Sequence, residues 1–379
     1  MSKKPPHMSK SVLPADLSGF QDRALLLKAD RAHEGGDFAS AVRLCQEALR
    51  RDPNQPRALQ ILGSMAQQTG SNEVALGFFR RAIAADGTLV AAHIGAGDAY
   101  MALCQWDSAI AAYGRAASLE PHDENGLTSL GAAYMAAGDN DRALDSFRRA
   151  AAINPLSKLA RYMLAGLAEG RAGPQSAYVR SVFDGYAGMF EEHLVGTLHY
   201  RVPELIANAL AAEHPVPFAA ALDLGCGTGL VADQLAPGRI AVIDGVDLSP
   251  RMIEVARRKN RYRALHVGDL MDFLKRSEAA TAGYDLVVAA DVFIYVGRLE
   301  EVFAAVRAIL RPGGLFVFSV EHSDGEGCAL RPSSRYAHNE PYIAGLADAN
   351  GFKRHPAGIV PLRHENKTDI LGRLEILQG

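Results

Sequence analysis

A period of 34 residues runs through the first half of the chain, and no other feature constrains the fold as tightly. One phase carries Ala29, Gly63, Gly97 and Gly131, and three residues on it carries Ala32, Ala66, Tyr100 and Tyr134. A later phase carries Ala41, Ala75, Ala109 and Ala143. Cys45, Phe79, Tyr113 and Phe147 follow it, and then Ala48, Ala82, Ala116 and Ala150. Pro53, Gly87, Pro121 and Pro155 close the units. The spacing predicts two helices per unit. Small residues let them approach, large residues fill the gap between them, and Pro or Gly ends the second helix. A generic helical bundle has no reason to keep such a period.

The stretch LGAAYMAAGDNDRALDSFRRAAAINP, from Leu130 to Pro155, resembles the tetratricopeptide repeat. Four such repeats cover residues 22 to 155, with Lys158 to Gly170 as a capping helix. The resemblance implies a solenoid whose concave face is lined by the first helix of each unit. By phase that face offers Asp30, His33, Arg57, Gln60, Asp98, Met101, Thr128 and Met135. The surface is mixed and has no row of Lys and Asn, so a clamp for carboxylate tails gets no support. A protein or peptide partner on the concave face, and self-association into a homo-oligomer or a purely architectural role, both stay open.

Length and composition add limits. A chain of 379 residues suggests two or three domains. With 48% hydrophobic and 22% charged residues it is not a disordered chain, and a net charge of −3 gives no bulk signature of nucleic-acid binding. Cys45, Cys104, Cys226 and Cys328 form no CxxC pair, which argues against a disulfide framework or a structural zinc and for a reducing, cytoplasmic setting. No histidines show HExxH spacing, so no metal is expected. The basic start MSKKPPHMSKSVLP is followed by no apolar core of a signal peptide, and no apolar run is long enough to span a membrane. The expected order is a disordered arm over 1–20, a solenoid over 21–170, a linker and helical lid over 171–216, and a second domain over 217–379. GRAGP, from Gly170 to Pro174, is the expected hinge.

In that second domain apolar runs alternate with helical stretches. AALDL, IDGVDL, ALHVGDL, YDLVVAADV, GLFVFSVE and DILGRLEILQ read as strands, and their alternation with helices indicates a parallel sheet covered on both faces. The first strand runs into Asp223, Leu224, Gly225, Cys226, Gly227, Thr228 and Gly229. A glycine turn there lets backbone approach a nucleotide. Position 230 is Leu, so the dinucleotide fingerprint is broken, which counts against a dehydrogenase. Asp247 and Leu248, Asp269 and Leu270, and Asp291 fall at the ends of the next three strands. A carboxylate can accept from ribose hydroxyls or an exocyclic amine, though each acid is also a ready helix N-cap.

The order DLGCGTG, GVDLS, VGDL, ADVFIYV and LRPGGLFVFSVE resembles the class I S-adenosylmethionine-dependent methyltransferases. The likeness extends to predicted bacterial methyltransferases that carry tetratricopeptide repeats, through FDGYAGMFEEHLVGTLHYRVPELI and the final LGRLEILQ. It implies a Rossmann-like α/β domain with a seven-stranded sheet whose last strand is antiparallel, and S-adenosyl-L-methionine as cofactor. Carried over, Gly225, Cys226 and Gly227 approach the methionine part of the cofactor, with Asp223 holding the turn or the amino group. Asp247 and Leu248 take the ribose, Asp269 and Leu270 the adenine, and Asp291 lies near the donor amine or the substrate mouth. Tyr186 and Arg201 fall in helices that fold over the cofactor, Arg201 facing its carboxylate or, as an ordinary arginine, solvent.

Methyl transfer needs alignment more than a protein nucleophile, and some acceptors also need a base. The candidates are His193 in the lid region and His322, Tyr336 and His338 after the fifth strand, each of which has an ordinary structural reading too. Two functions follow. One is a methyltransferase whose repeats recruit a protein or peptide. The other is a small-molecule enzyme whose repeats serve assembly or regulation. A non-catalytic scaffold is a third. The acceptor and the atom methylated are not legible.

Overall fold

A computed structural model describes residues 15–169, 175–213, 216–235, 238–276, 283–355, 358–365 and 368–379. Two compact units divide the chain, Met1–Ala137 and Gly138–Gly379. The stretch read as a hinge, 170–174, and most of the expected arm lie outside the described residues.

The first unit holds seven described helices: α1 (Ala15–Glu34), α2 (Phe38–Arg51), α3 (Pro56–Gln68), α4 (Asn72–Ala85), α5 (Val90–Ala102), α6 (Trp106–Leu119) and α7 (Glu124–Ala136). Helix α1 begins at Ala15, inside the stretch expected as arm. Local chemistry sets several helix starts. Asp37 caps α2 through Ser40 N–H, Asp123 caps α7, and Pro56 opens α3. The phases of the repeat then show their purpose. A Cβ on Gly63 would sit 2.7 Å from the Phe79 ring, one on Gly95 2.4 Å from it, and one on Gly97 2.6 Å from Tyr113. Large rings of one helix are thus seated on the bare backbone of its neighbours. Among the positions expected to line the concave face, Asp30 pairs with Arg57 at 3.0 Å and Asp98 accepts from the Tyr113 hydroxyl. Met135 is buried and offers nothing to a ligand.

The second unit begins with α8 (Asn140–Ile153) and α9 (Lys158–Glu169), the second helix of the fourth repeat and its cap. Tyr162 and Met163 of α9 are fully buried, and Tyr162 donates a hydrogen bond to Ser334 O at 2.9 Å. That packing is why compactness divides the chain ahead of the expected hinge. Next come α10 (Gln175–Tyr186), a π-helical turn (Glu192–Thr197) and α11 (Val202–Glu213).

The sheet is built from β1 (Phe218–Leu224), β2 (Ile240–Asp247), β3 (Ala264–Val267), β4 (Tyr284–Ala289), β5 (Leu310–His322), β6 (Cys328–Leu330), β7 (Tyr336–His338), β8 (Lys353–Arg354), β9 (Ile359–Glu365) and β10 (Thr368–Gln378). Among the described residues the sheet has ten strands, seven of them on a main path of order β3-β2-β1-β4-β5-β10-β8. The first five run parallel, and β10 is antiparallel to β5, with Leu374 opposite Ser319. Strand β9 adds to β10, and the β6–β7 pair extends the end of β5. Apolar side chains leave both faces of the central strands, as burial under two helical layers requires. Phe316 and Phe318 pack with Val302, Phe303 and Val306 on one face, while Leu286, Val288 and Val317 pack with Val202, Ile206 and Leu210 on the other. Among the described residues no helix is long and apolar enough to cross a membrane.

Candidate active site

The turn after β1 is a backbone structure that only glycine fits. Gly225, Gly227 and Gly229 have φ of 62°, 53° and 92°, in the left-handed region, and a Cβ on Gly225 would come within 2.6 Å of Val292. The turn opens the short helix α12 (Leu230–Gln234). Asp247, at the end of β2, grips the turn by accepting from Gly227 N at 2.9 Å, and it accepts from Ser249 N at 2.8 Å. Burial, opposed by these two bonds, raises its carboxyl to about 6. Asp223 lies beneath the turn, accepting from the Tyr262 hydroxyl at 2.7 Å through one oxygen. Its other oxygen has no partner among the described residues, and burial pushes the group up to about 7.

Asp269 is the N-cap of α13 (Leu270–Leu274), accepting from Met271 N at 2.8 Å, so its structural and functional readings coexist in one side chain. Asp291 follows β4 with a φ of 55°. Its oxygens accept from Ser319 at 3.2 Å and from Arg363 Nη1 at 2.9 Å.

Between these strand ends and the α10 region lies a cavity of about 1430 Å³. Gly225, Gly227, Asp247, Leu248, Asp269, Leu270 and Asp291 line it, and so do Tyr186 and His193 from the preceding segment. The Tyr186 hydroxyl is hydrogen-bonded to His193 Nδ1. Polar bonds tie that segment to the sheet layer: Ser249 Oγ donates to Asp184 at 2.6 Å, and Lys259 bridges Glu191 and Asp233.

Other expected residues are elsewhere. Cys226 is buried behind the turn, and burial raises its thiol well above the ordinary value, so it is packing rather than a nucleophile. Arg201 pairs with Glu204 at 3.4 Å on an exposed surface and does not line the cavity. His322 binds Asp324 at 3.0 Å, also off the cavity. His338 is fully buried with Nε2 facing two carbonyls, Gly297 O at 2.8 Å and Val296 O at 3.1 Å. Nε2 therefore carries the proton, and burial lowers the imidazole to about 4. Tyr336 is buried, its ring pressed against Gly297.

A second group on the cavity wall escaped the sequence reading. Arg363 donates to Asp291, Glu321 and Glu365, and Arg335 Nη1 donates to both oxygens of Glu365 at 2.7 and 2.9 Å. Arg335, Arg363 and Glu365 line the cavity together with Tyr200 and Tyr295. The available signal was the spacing of Arg363 and Glu365, since alternate residues of a strand share a face.

A sheet of this order with its ligand crevice at a glycine turn defines the class I methyltransferase domain. Residues 222–316 match the family model described as a methyltransferase domain, and residues 26–89, 94–158 and 128–173 match the tetratricopeptide repeat. The chain therefore carries a methyltransferase domain and, ahead of it, tetratricopeptide repeats. It is similar to malonyl-[acyl-carrier protein] O-methyltransferase of Halalkalibacterium halodurans, 40% identical over 26% of this chain and 38% of that one. It is also similar to dTDP-3-amino-3,6-dideoxy-alpha-D-glucopyranose N,N-dimethyltransferase of Streptomyces fradiae, 27% identical over 44% of this chain and 73% of that one. Among solved structures, magnesium protoporphyrin IX methyltransferase from Synechocystis PCC 6803 with bound S-adenosylhomocysteine is 17% identical, with a TM-score of 0.41 over 54% of this chain and 99% of that one. The chain spans less than half the length of the first curated relatives it matches.

The cofactor of the family is S-adenosylmethionine. The residues present fit it: a cradle open to backbone approach, an unpartnered carboxylate oxygen on Asp223, and the carboxylates of Asp247 and Asp269 on the cavity wall.

Proposed function

We propose that the chain is an S-adenosylmethionine-dependent methyltransferase acting on an acceptor held on, or recruited as, a protein or peptide. The observation that carries the reading is the ring of Gly225, Gly227, Asp247 and Asp269 around a cavity of about 1430 Å³. That volume exceeds the range of roughly 300–1,000 Å³ usual for one ligand and leaves room for two reactants. When bound, the cofactor supplies an electrophilic methyl group on a sulfonium.

This chain's own residues bind, orient and exclude water. The turn at Gly225 and Gly227 gives its backbone to the methionine end, and Asp223 supplies negative potential beneath it. Asp247 beside Leu248 takes the ribose hydroxyls, and Asp269 beside Leu270 takes the adenine. Asp291, committed to Arg363, shapes the acceptor end instead of binding the donor amine. Of the four candidate bases only His193 lines the cavity. In the tautomer whose Nδ1–H donates to the Tyr186 oxygen, Nε2 keeps a lone pair that can take a proton from the acceptor. Holding two reactants in line can contribute roughly 7–11 kcal/mol to the rate.

The repeats support the protein-borne acceptor, since stacked helical repeats build the extended concave surfaces on which such arrays bind partners. The first relative is named for an acceptor carried on a protein. The second is named for a small sugar nucleotide, and it favours a small-molecule acceptor with repeats used for assembly. Incubation with labelled donor and host lysate, split into protein and small-molecule fractions, separates the two. Label confined to small molecules refutes the first, and absence of S-adenosylhomocysteine binding in calorimetry refutes the enzyme.

A further inference from the structure

Helix α9, the cap of the fourth repeat, packs on the β6–β7 segment within the second compact unit. Gly166 of α9 lies so close to the β6–β7 segment that a Cβ there would come within 2.4 Å of Leu330 and 2.7 Å of the Tyr336 hydroxyl. Tyr162, one turn earlier, is buried with its ring 4.8 Å from that of Tyr178 in α10 and 6.4 Å from that of Tyr336. Its hydroxyl donates to the carbonyl oxygen of Ser334 at 2.9 Å. Ser334 has a φ of 60°, a conformation that a residue with a Cβ adopts only when its surroundings hold it. The turn closes through Ser334 N to Arg331 O at 2.9 Å and Arg331 N to Arg335 O at 2.8 Å. The next residue, Arg335, lines the cavity and pairs with Glu365.

We propose that α9 braces the methyltransferase's acceptor end from outside the cavity, with Tyr162 as a positioning residue that aims Arg335 into the cavity through the carbonyl of Ser334. The inference rests on the methyltransferase reading above. A repeat helix that merely capped the solenoid would need no hydroxyl at Tyr162, and Phe would fill the same space. The hydroxyl instead fixes a strained turn whose product is the direction of one cavity-lining cation.

The test uses the full chain as Tyr162→Phe, Arg335→Ala and the double variant. S-adenosylhomocysteine binding is measured by calorimetry, and transfer of label from S-adenosylmethionine is measured across a dilution series of host lysate. Expected are S-adenosylhomocysteine affinities within about twofold of wild type, and labelling by Tyr162→Phe down about tenfold in dilute lysate and recovering in concentrated lysate. The double variant should fall no lower than Arg335→Ala, as residues acting through one path must. Multiplying effects, unchanged labelling in Tyr162→Phe, or a parallel loss of S-adenosylhomocysteine binding each overturn the proposal. If wild type labels nothing, the enzymatic reading fails, and amide exchange decides the positioning role. Exchange of residues 331–338 about tenfold faster in Tyr162→Phe, with 225–229 unchanged, upholds it, and equal exchange overturns it.

Discussion

Arg363 of β9 donates from Nη1 to Oδ2 of Asp291 at 2.9 Å, across 72 residues of sequence. The same guanidinium serves Glu321 and Glu365, so one buried cation holds three acids beside the cavity. Arg363 and Glu321 are deeply buried, and charges so placed are tolerated only while they are paired.

Arg363→Met should therefore lower stability by about 3–5 kcal/mol, the usual penalty for removing one partner of a buried ion pair. Urea unfolding of the full chain followed by circular dichroism measures it. A loss under about 1 kcal/mol shows that the acids find other partners.

Asp247→Asn keeps the size of the side chain and removes its charge. S-adenosylhomocysteine affinity should fall by about one to two orders of magnitude, matching roughly 1.5–3 kcal/mol for hydrogen bonds to a charged group. Calorimetric titration reads this directly, and an unchanged affinity would sink the assignment of Asp247 to the ribose.

Cofactor binding should also depend on pH. Asp223 and Asp247 are raised by burial to about 7 and about 6, so the ligand-free protein holds these protons unusually tightly. A cationic ligand, and hydroxyls donating to a carboxylate, both favour the ionised forms. Affinity for S-adenosylmethionine should rise between pH 5.5 and 7.5, with protons released on binding, visible as a dependence of the calorimetric heat on buffer ionisation. For folding the sign is opposite: the raised acids contribute stability below the unfolded value that is lost as pH climbs through 6 and 7. Absence of proton release contradicts the arrangement.

His338 makes a prediction of the other sign. Its imidazole is held neutral, lowered by burial to about 4, so its contribution is present above pH 6.5 and is lost as pH falls toward 4. The slope is up to about 1.4 kcal/mol per pH unit. His338→Gln should remove this contribution, so that its stability relative to wild type improves as pH falls from 6.5 to 4, while S-adenosylhomocysteine binding stays intact. A stability difference between variant and wild type that does not change between pH 6.5 and 4 contradicts the neutral assignment.

In the repeats, Gly97→Leu would drive a side chain into the ring of Tyr113, where even a Cβ stands only 2.6 Å away. The expected loss is about 1–3 kcal/mol, typical of overpacking, read as an earlier thermal transition. Gly77, whose Cβ position meets nothing within 4 Å, is the control, and Gly77→Ala should not lower stability.

The strands, the glycine turn and the acids at the strand ends were legible because their signals are local: apolar runs, adjacent glycines, and a carboxylate just after each strand. Phe79 against Gly63 was legible through periodicity alone. What failed to show depends on contacts distant in sequence. Arg363 and Arg335 meet Asp291 and Glu365 only after β9 folds back along β10. His338 sits at the end of a short strand, as a catalytic histidine does, yet its ring points at two carbonyls 41 and 42 residues earlier. Arg201 and His193 lie eight positions apart, and nothing local tells which one turns inward.

The place of β10 also sets an order of assembly. It lies directly beside β5, pairing from Leu315 to Glu321, and it carries β9 with it. During synthesis the edge of β5 stays open until residues 368–378 have been made. Asp291 and Glu321 wait as long for the guanidinium that neutralises them. Such late, non-local pairing is slow and leaves strand edges open to association with other chains. A polypeptide stalled before β10 would hold a finished glycine turn beside an unfinished acceptor wall, making this protein dependent on its last strand for more than sheet closure.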